Sequence, residues 1–207
     1  MSITGLFLML FLLVHVTANM TSLFGPAIFN RVCDFMGTNP IIMIVAPVLA
    51  VGMVVHILYA LWLSLYNLRA RGKRRYAVYN KGMATSWASK NMLALGSLIA
   101  GGMALHLIHF WSQMQLREIL GGVGADPYQL LVYQFSRPYV VFVYMIWIIA
   151  LWFHLTHGFW SAFQSLGLNN TNWIKRWQTT ARVFATVVAA GFTSIPIYFF
   201  FKPTGLL

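Results

Sequence analysis

Histidine is the residue in this chain with the most chemical capacity, and its placement is unusual. Of six histidines, four stand one to an apolar segment, His15, His56, His106 and His154, while His109 and His157 follow the last two by three residues. An ionisable side chain inside a bilayer is costly, so its default reading is functional. A lone case reads best as a structural residue hydrogen-bonded across a bundle, but four on four segments read as ligands. No thiolate or carboxylate accompanies any of them, which argues against zinc. Imidazoles in pairs suit instead the two axial positions of a haem iron, and four of them suit two haems.

The elements that must carry these side chains follow from composition. The 207 residues are 59% hydrophobic and 8% charged, against about 25% charged in an ordinary soluble domain. About 20 apolar residues cross the hydrocarbon at 1.5 Å per residue. Such segments are read at about 2–22, 42–66, 92–113, 138–163 and 180–201. The expected fold is an all-α membrane protein, five transmembrane helices in one bundle, with residues 1–207 forming a single domain. The first segment lacks a basic leading region and a small-residue cleavage site and carries His15, so it is expected to be a retained helix. The lone Cys33 excludes an internal disulfide.

The fourteen Lys and Arg outnumber three acidic residues, a balance that would suggest nucleic acid in a soluble protein. Their placement points elsewhere, and no nucleic-acid partner is expected. Arg69, Arg71, Lys73, Arg74, Arg75, Lys81 and Lys90 fall between the second and third segments, which puts that loop on the cytoplasmic side. Lys175, Arg176 and Arg182 precede or enter the fifth segment, on the same side. The N-terminus is then cytoplasmic and the C-terminus outside. The basic loop meets anionic lipid or offers a dock for a peripheral partner. The run from Ser86 to Asn91 mixes hydroxyls, an indole and a cation, as suits a headgroup-level anchor or a site for haem propionates.

With orientation set, each histidine has a depth. His15 lies four residues from Asn19 and His106 six from Ser112, which places both roughly 6 to 10 Å below the outer surface. His56 follows Pro40, and His154 follows Pro138, by sixteen residues, roughly 24 Å from that surface. The expected pairs are His15 with His106 outside and His56 with His154 inside. A porphyrin approaches a helix only where the adjacent turn is small, and residues four apart share a face. Ala60 follows His56, Gly158 follows His154 and Gly102 precedes His106 at that interval, whereas His15 has Phe11 and Asn19. His109 and His157 read as packing, propionate or quinone-pocket residues.

Several short motifs occur in order along nearly the whole chain: Thr4-Gly5-Leu6-Phe7 ahead of His15, Gly37-Thr38-Asn39-Pro40, His56-Ile57-Leu58-Tyr59-Ala60, Ser86 to Asn91, His106-Leu107, His154-Leu155-Thr156-His157-Gly158-Phe159, and Ser161 to Gly167. Together they resemble the single-chain, five-helix, di-haem cytochrome b anchor of succinate:quinone oxidoreductases, the succinate dehydrogenases and fumarate reductases. The resemblance implies ligands from the first four helices, paired first with third and second with fourth, as the depth count also has it. It implies that the fourth ligand is the histidine four residues before the glycine, His154 rather than His157, and that the fifth helix supplies none.

The resemblance further implies two haem b groups and a flavoprotein and an iron–sulfur subunit on the cytoplasmic face of the cell membrane. The chain would anchor these and pass electrons between the iron–sulfur subunit and a membrane quinone, usually menaquinone, with no dicarboxylate chemistry of its own. For a quinone site near the outer haem, Asp34 is the first acidic candidate and Glu118 the second, each equally readable as a water-facing residue. Some fumarate reductases of this family carry a glutamate near the fourth ligand; here no helix is expected to contain an acidic residue. The competing readings are a cytochrome b anchor of a hydrogenase or formate dehydrogenase, and a transporter or structural bundle in which histidines bind substrate or relay protons.

Overall fold

The computed structural model describes residues 1–71, 87–168 and 170–202. Lys73, Arg74, Arg75, Lys81 and Ser86 therefore lie outside the described residues. Those described form an all-helical bundle in which five helices are long and apolar enough to cross a membrane, so the chain is a multi-pass membrane protein. In such a setting backbone polar groups must be satisfied within the segment, which helices do.

Helix α1 (Ser2–Met20) runs into a 3-10 turn, Thr21–Phe24. Gly25 follows at φ 109°, a conformation that favours glycine. Pro26 then opens α2 (Pro26–Thr38) at a position where its missing N–H is no loss. The Asn39 side chain accepts from the Ile41 backbone N–H at 3.0 Å, and α3 (Pro40–Arg71) begins there. After the short α4 (Trp87–Lys90), α5 (Met92–His106) continues as a π-helix, Leu107–Leu116, and a last turn α6 (Arg117–Ile119). Asp126 caps α7 (Pro127–Phe135) by accepting from the Gln129 N–H at 2.8 Å. Helices α8 (Pro138–Ser165) and α9 (Trp173–Phe201) complete the chain.

The five spans stand where the apolar segments put them, but their ends differ. The second runs over 40–71 rather than 42–66. The third continues to Ile119 rather than stopping near 113, because Ser112, Gln113 and Gln115 are polar without being breakers and the first glycine is Gly121. The fifth begins at Trp173, seven residues before 180, through an aromatic and basic turn that a hydropathy reading discards. The outer connections are not plain loops, since α2 and α7 occupy them. The expectation that no helix holds an acidic residue fails as well: Asp34 lies in α2 and Glu118 in α6, continuous with the third span.

Helices α2 and α7 build a core at one end of the bundle. Phe29, Tyr128, Leu131 and Phe135 pack there with Val140, Tyr144, Ile195 and Phe199 of α8 and α9. Asn30 clasps the two short helices, donating to Asp126 at 2.6 Å and accepting from the Tyr128 N–H at 3.2 Å. Along the bundle, α9 packs on α1 and α8. A β-carbon at Gly191 would come within 2.6 Å of Val16, so the α1–α9 approach depends on a small residue, as is common in membrane interfaces.

Candidate functional site

The four helices that carry the expected ligands form a closed ring. Helix α1 packs on α3, α3 on α5, α5 on α8 and α8 on α1, whereas α1 and α5, and likewise α3 and α8, face one another across the middle with little or no direct backbone packing. Each expected histidine pair lies on one of these diagonals. The α3 helix has no buried residue in its apolar window.

On the first diagonal, His15 and His106 meet: their ring centres are 5.8 Å apart and their planes stand at 88°. A metal held between them by one nitrogen of each ring, at about 2 Å, would need ring centres roughly 6 Å apart, which this spacing allows. Phe11 stacks on the His15 ring at 5.0 Å and Phe192 borders it at 5.7 Å. Asn19 donates to the His15 carbonyl at 2.8 Å, and its amide nitrogen lies 3.4 and 3.5 Å from the two ring nitrogens.

On the second diagonal, His154 lies within electrostatic range of His56 and of His157. His56 is oriented from α1. Its Nδ1 is 3.1 Å from the Thr4 hydroxyl oxygen, and that hydroxyl donates its one proton to the Met1 carbonyl at 2.9 Å. With the hydroxyl proton on the Met1 carbonyl, the His56 tautomer that satisfies Thr4 carries its proton on Nδ1 and leaves the Nε2 lone pair for a metal. This is the usual way a second partner fixes a ligating imidazole. Thr4 stands at the head of a quoted motif, but its role was not foreseen. Its place eleven residues before His15, about three turns along one face, was the available signal.

The Nδ1 atoms of His106, His154 and His157 are buried with no hydrogen-bond partner among the described residues. Among the described residues no three of His, Cys, Asp and Glu converge, so these imidazoles offer ligands in twos. Two imidazoles on the first diagonal, His15 and His106, would suit a bis-imidazole haem, and His56 and His154 are the residues that would hold one on the second.

The small residues beside the histidines divide. At Gly158 an added β-carbon would meet only His154 and Met9, both at 3.9 Å, so that face stays open. At Gly102 it would collide with the Trp147 indole; the space beside His106 that was read as room for a porphyrin is taken by tryptophan. Trp87, in the Ser86–Asn91 run, packs on Phe153 at 5.0 Å, which brings that indole beside the turn that carries His154.

The two remaining histidines differ in surroundings. His109 stacks on Tyr144 at 5.9 Å and 15°, with Nδ1 3.3 Å from the phenol oxygen. Its carbonyl, inside the π-helix, accepts from the buried Gln134 side chain at 3.0 Å, and Gln134 in turn accepts from Arg137. π-Helical turns recur at functional sites. His157 packs against Trp160 at 5.0 Å. The acidic candidates Asp34 and Glu118 are both exposed. Asp34 acts on its neighbour: burial, with Asp34 and Asp126 beside it, pushes the Cys33 thiol up to about 11.

In comparisons with known proteins, no family model, no curated protein and no solved structure matches the chain.

Proposed function

We propose that this chain is a di-haem b cytochrome of the cell membrane, the anchor and electron-transfer subunit of a succinate:quinone oxidoreductase. One observation carries the haem reading: the His15 and His106 imidazoles face each other at 5.8 Å across helices with little or no direct backbone packing. When bound, a haem with two imidazole ligands supplies one-electron transfer and leaves no coordination position for oxygen or substrate. The chain's own residues hold the ligands and keep water out. Thr4 sets the tautomer of His56, while Phe11, Phe192, Phe110 and Trp147 wall the outer pair in apolar surface.

The assignment to a succinate:quinone oxidoreductase rests on the ordered motifs, with the basic loop as the cytoplasmic dock for flavoprotein and iron–sulfur subunits and a quinone, usually menaquinone, as the membrane substrate. Purification of the intact complex in mild detergent tests both levels. Two b haems per chain, co-purifying flavin and iron–sulfur subunits, and electron exchange between succinate or fumarate and quinone are the expected results. Haem with hydrogenase or formate dehydrogenase subunits would move the chain to that class, and a spectrum with no haem bands would leave a transporter or structural bundle.

A further inference from the structure

A metal-ligating histidine is ordinarily oriented by a hydrogen bond at its other ring nitrogen. Thr4 does this for His56, but His106 has a buried Nδ1 with no partner among the described residues. No polar tether sets the rotation of the His106 ring, so packing must. The walls are Trp147 at 5.6 Å and 38°, Phe110 at 5.3 Å, and Tyr144 at 6.4 Å. Only one of these has a tether and a seat of its own on α5. The Trp147 indole Nε1 donates to the Ile99 carbonyl at 3.1 Å, its ring fills the face that Gly102 leaves bare, and Tyr144 braces it edge-on at 5.5 Å.

We propose that Trp147, seated on Gly102 and tied to the Ile99 carbonyl, is the positioning residue that holds the His106 imidazole crossed to His15. It thereby sets the angle between the ligand planes of the outer haem. The inference rests on His15 and His106 being axial ligands, and it goes beyond that reading in assigning the ring angle to one side chain. The angle has an electronic consequence. Crossed imidazole planes leave two iron d orbitals nearly equal in energy, whereas parallel planes split them, and the ferric low-spin spectrum is more anisotropic in the crossed case.

The test is low-temperature electron paramagnetic resonance of the oxidised, detergent-purified complex, read beside its haem-to-protein ratio. In Trp147→Leu the low-field feature of one haem is expected to move to lower g while the other stays. Gly102→Ala, which pushes the indole from its seat, is expected to move the same feature in the same direction. Trp147→Phe keeps an aromatic wall but loses the bond to the Ile99 carbonyl, and is expected to move the line in the same direction by less than Trp147→Leu. Two bound haems with unmoved lines in both Trp147→Leu and Gly102→Ala overturn the proposal alone. Loss of the outer haem in Trp147→Leu and Trp147→Phe alike also overturns it, since the tryptophan would then be needed for the site to form rather than for the ring angle. A wild-type complex without haem removes the axial-ligand reading and this inference together.

Discussion

The Thr4 hydroxyl and Nδ1 of His56 lie 3.1 Å apart, and the hydroxyl proton is already committed to the Met1 carbonyl. One short contact between the first and second spans thus decides which nitrogen of His56 is free. Replacing Thr4 by Val removes the acceptor and keeps the shape. Loss of such an outer partner typically weakens metal binding ~10- to 100-fold. Thr4→Val is therefore expected to weaken one haem selectively, seen as loss of the inner-haem component in a redox titration, while Thr4→Ser retains it.

The diagonal pairing makes a sorted set of losses. Ala at His15 or His106 is expected to remove the same haem, and Ala at His56 or His154 the other, each variant retaining one haem by pyridine haemochrome assay. His157→Ala should retain both. A His157→Ala protein lacking the inner haem, with His154 intact, would transfer the fourth ligand to His157.

Gly191 tests the bundle independently of any cofactor. A side chain there enters space held by Val16 and Met20, and overpacking of this kind costs about 1–3 kcal/mol. Gly191→Leu is expected to lower the detergent-solubilised unfolding temperature, while Val16→Ala in the same protein restores part of the loss by making room.

Cys33 gives a pH prediction. Its thiol is raised from 9.0 to about 11, and since the thiolate is the nucleophile, a shift of about two units cuts the thiolate fraction near pH 8 about 100-fold. Maleimide labelling at pH 8 should be correspondingly slow in the folded protein and faster after denaturation. The raised value also means that folding disfavours the thiolate. The protein is therefore expected to lose stability as pH rises from about 9 towards 11. Asp34→Asn removes one of the two nearby charges, so labelling should speed up.

Much of this arrangement can be read without coordinates because it rests on strong, local signals. Long apolar runs declare spans, and counting from Pro40 and Pro138 works because both prolines do begin their helices. Counting from Ser112 was less sound, as the third span continues through a π-helix to Ile119. The His15 and His106 rings nevertheless lie side by side. Helix α7 was announced by Asp126-Pro127 and α2 by Gly25-Pro26, a cap residue or glycine followed by a first-turn proline. Short amphipathic helices between long apolar ones are easily taken for loops.

What stayed hidden is what depends on helices meeting. The bareness of Gly102 is visible in the sequence, but whether a porphyrin or an indole uses it depends on the rotation of α8 against α5. The bond from Gln134 to the His109 carbonyl joins α7 to the π-helix, and neither that contact nor the change of winding is revealed by periodicity over so short a stretch. Thr4 and His56 are 52 positions apart, and only the packing of α1 on α3 relates them.

The ring of α1, α3, α5 and α8 has a consequence for assembly. Its two diagonals draw on all four helices and share none, so no pair of spans consecutive in the chain contains a complete ligand set. Neither centre can be loaded while the chain is still entering the bilayer with its first two spans. A group bridging the outer diagonal must await the third span, and one bridging the inner diagonal must await the fourth. Once in place, the two would cross-brace the frame between helices with little or no direct backbone packing. On the proposed reading, loading of the two groups would be a late step of assembly, complete only when all four spans are in place.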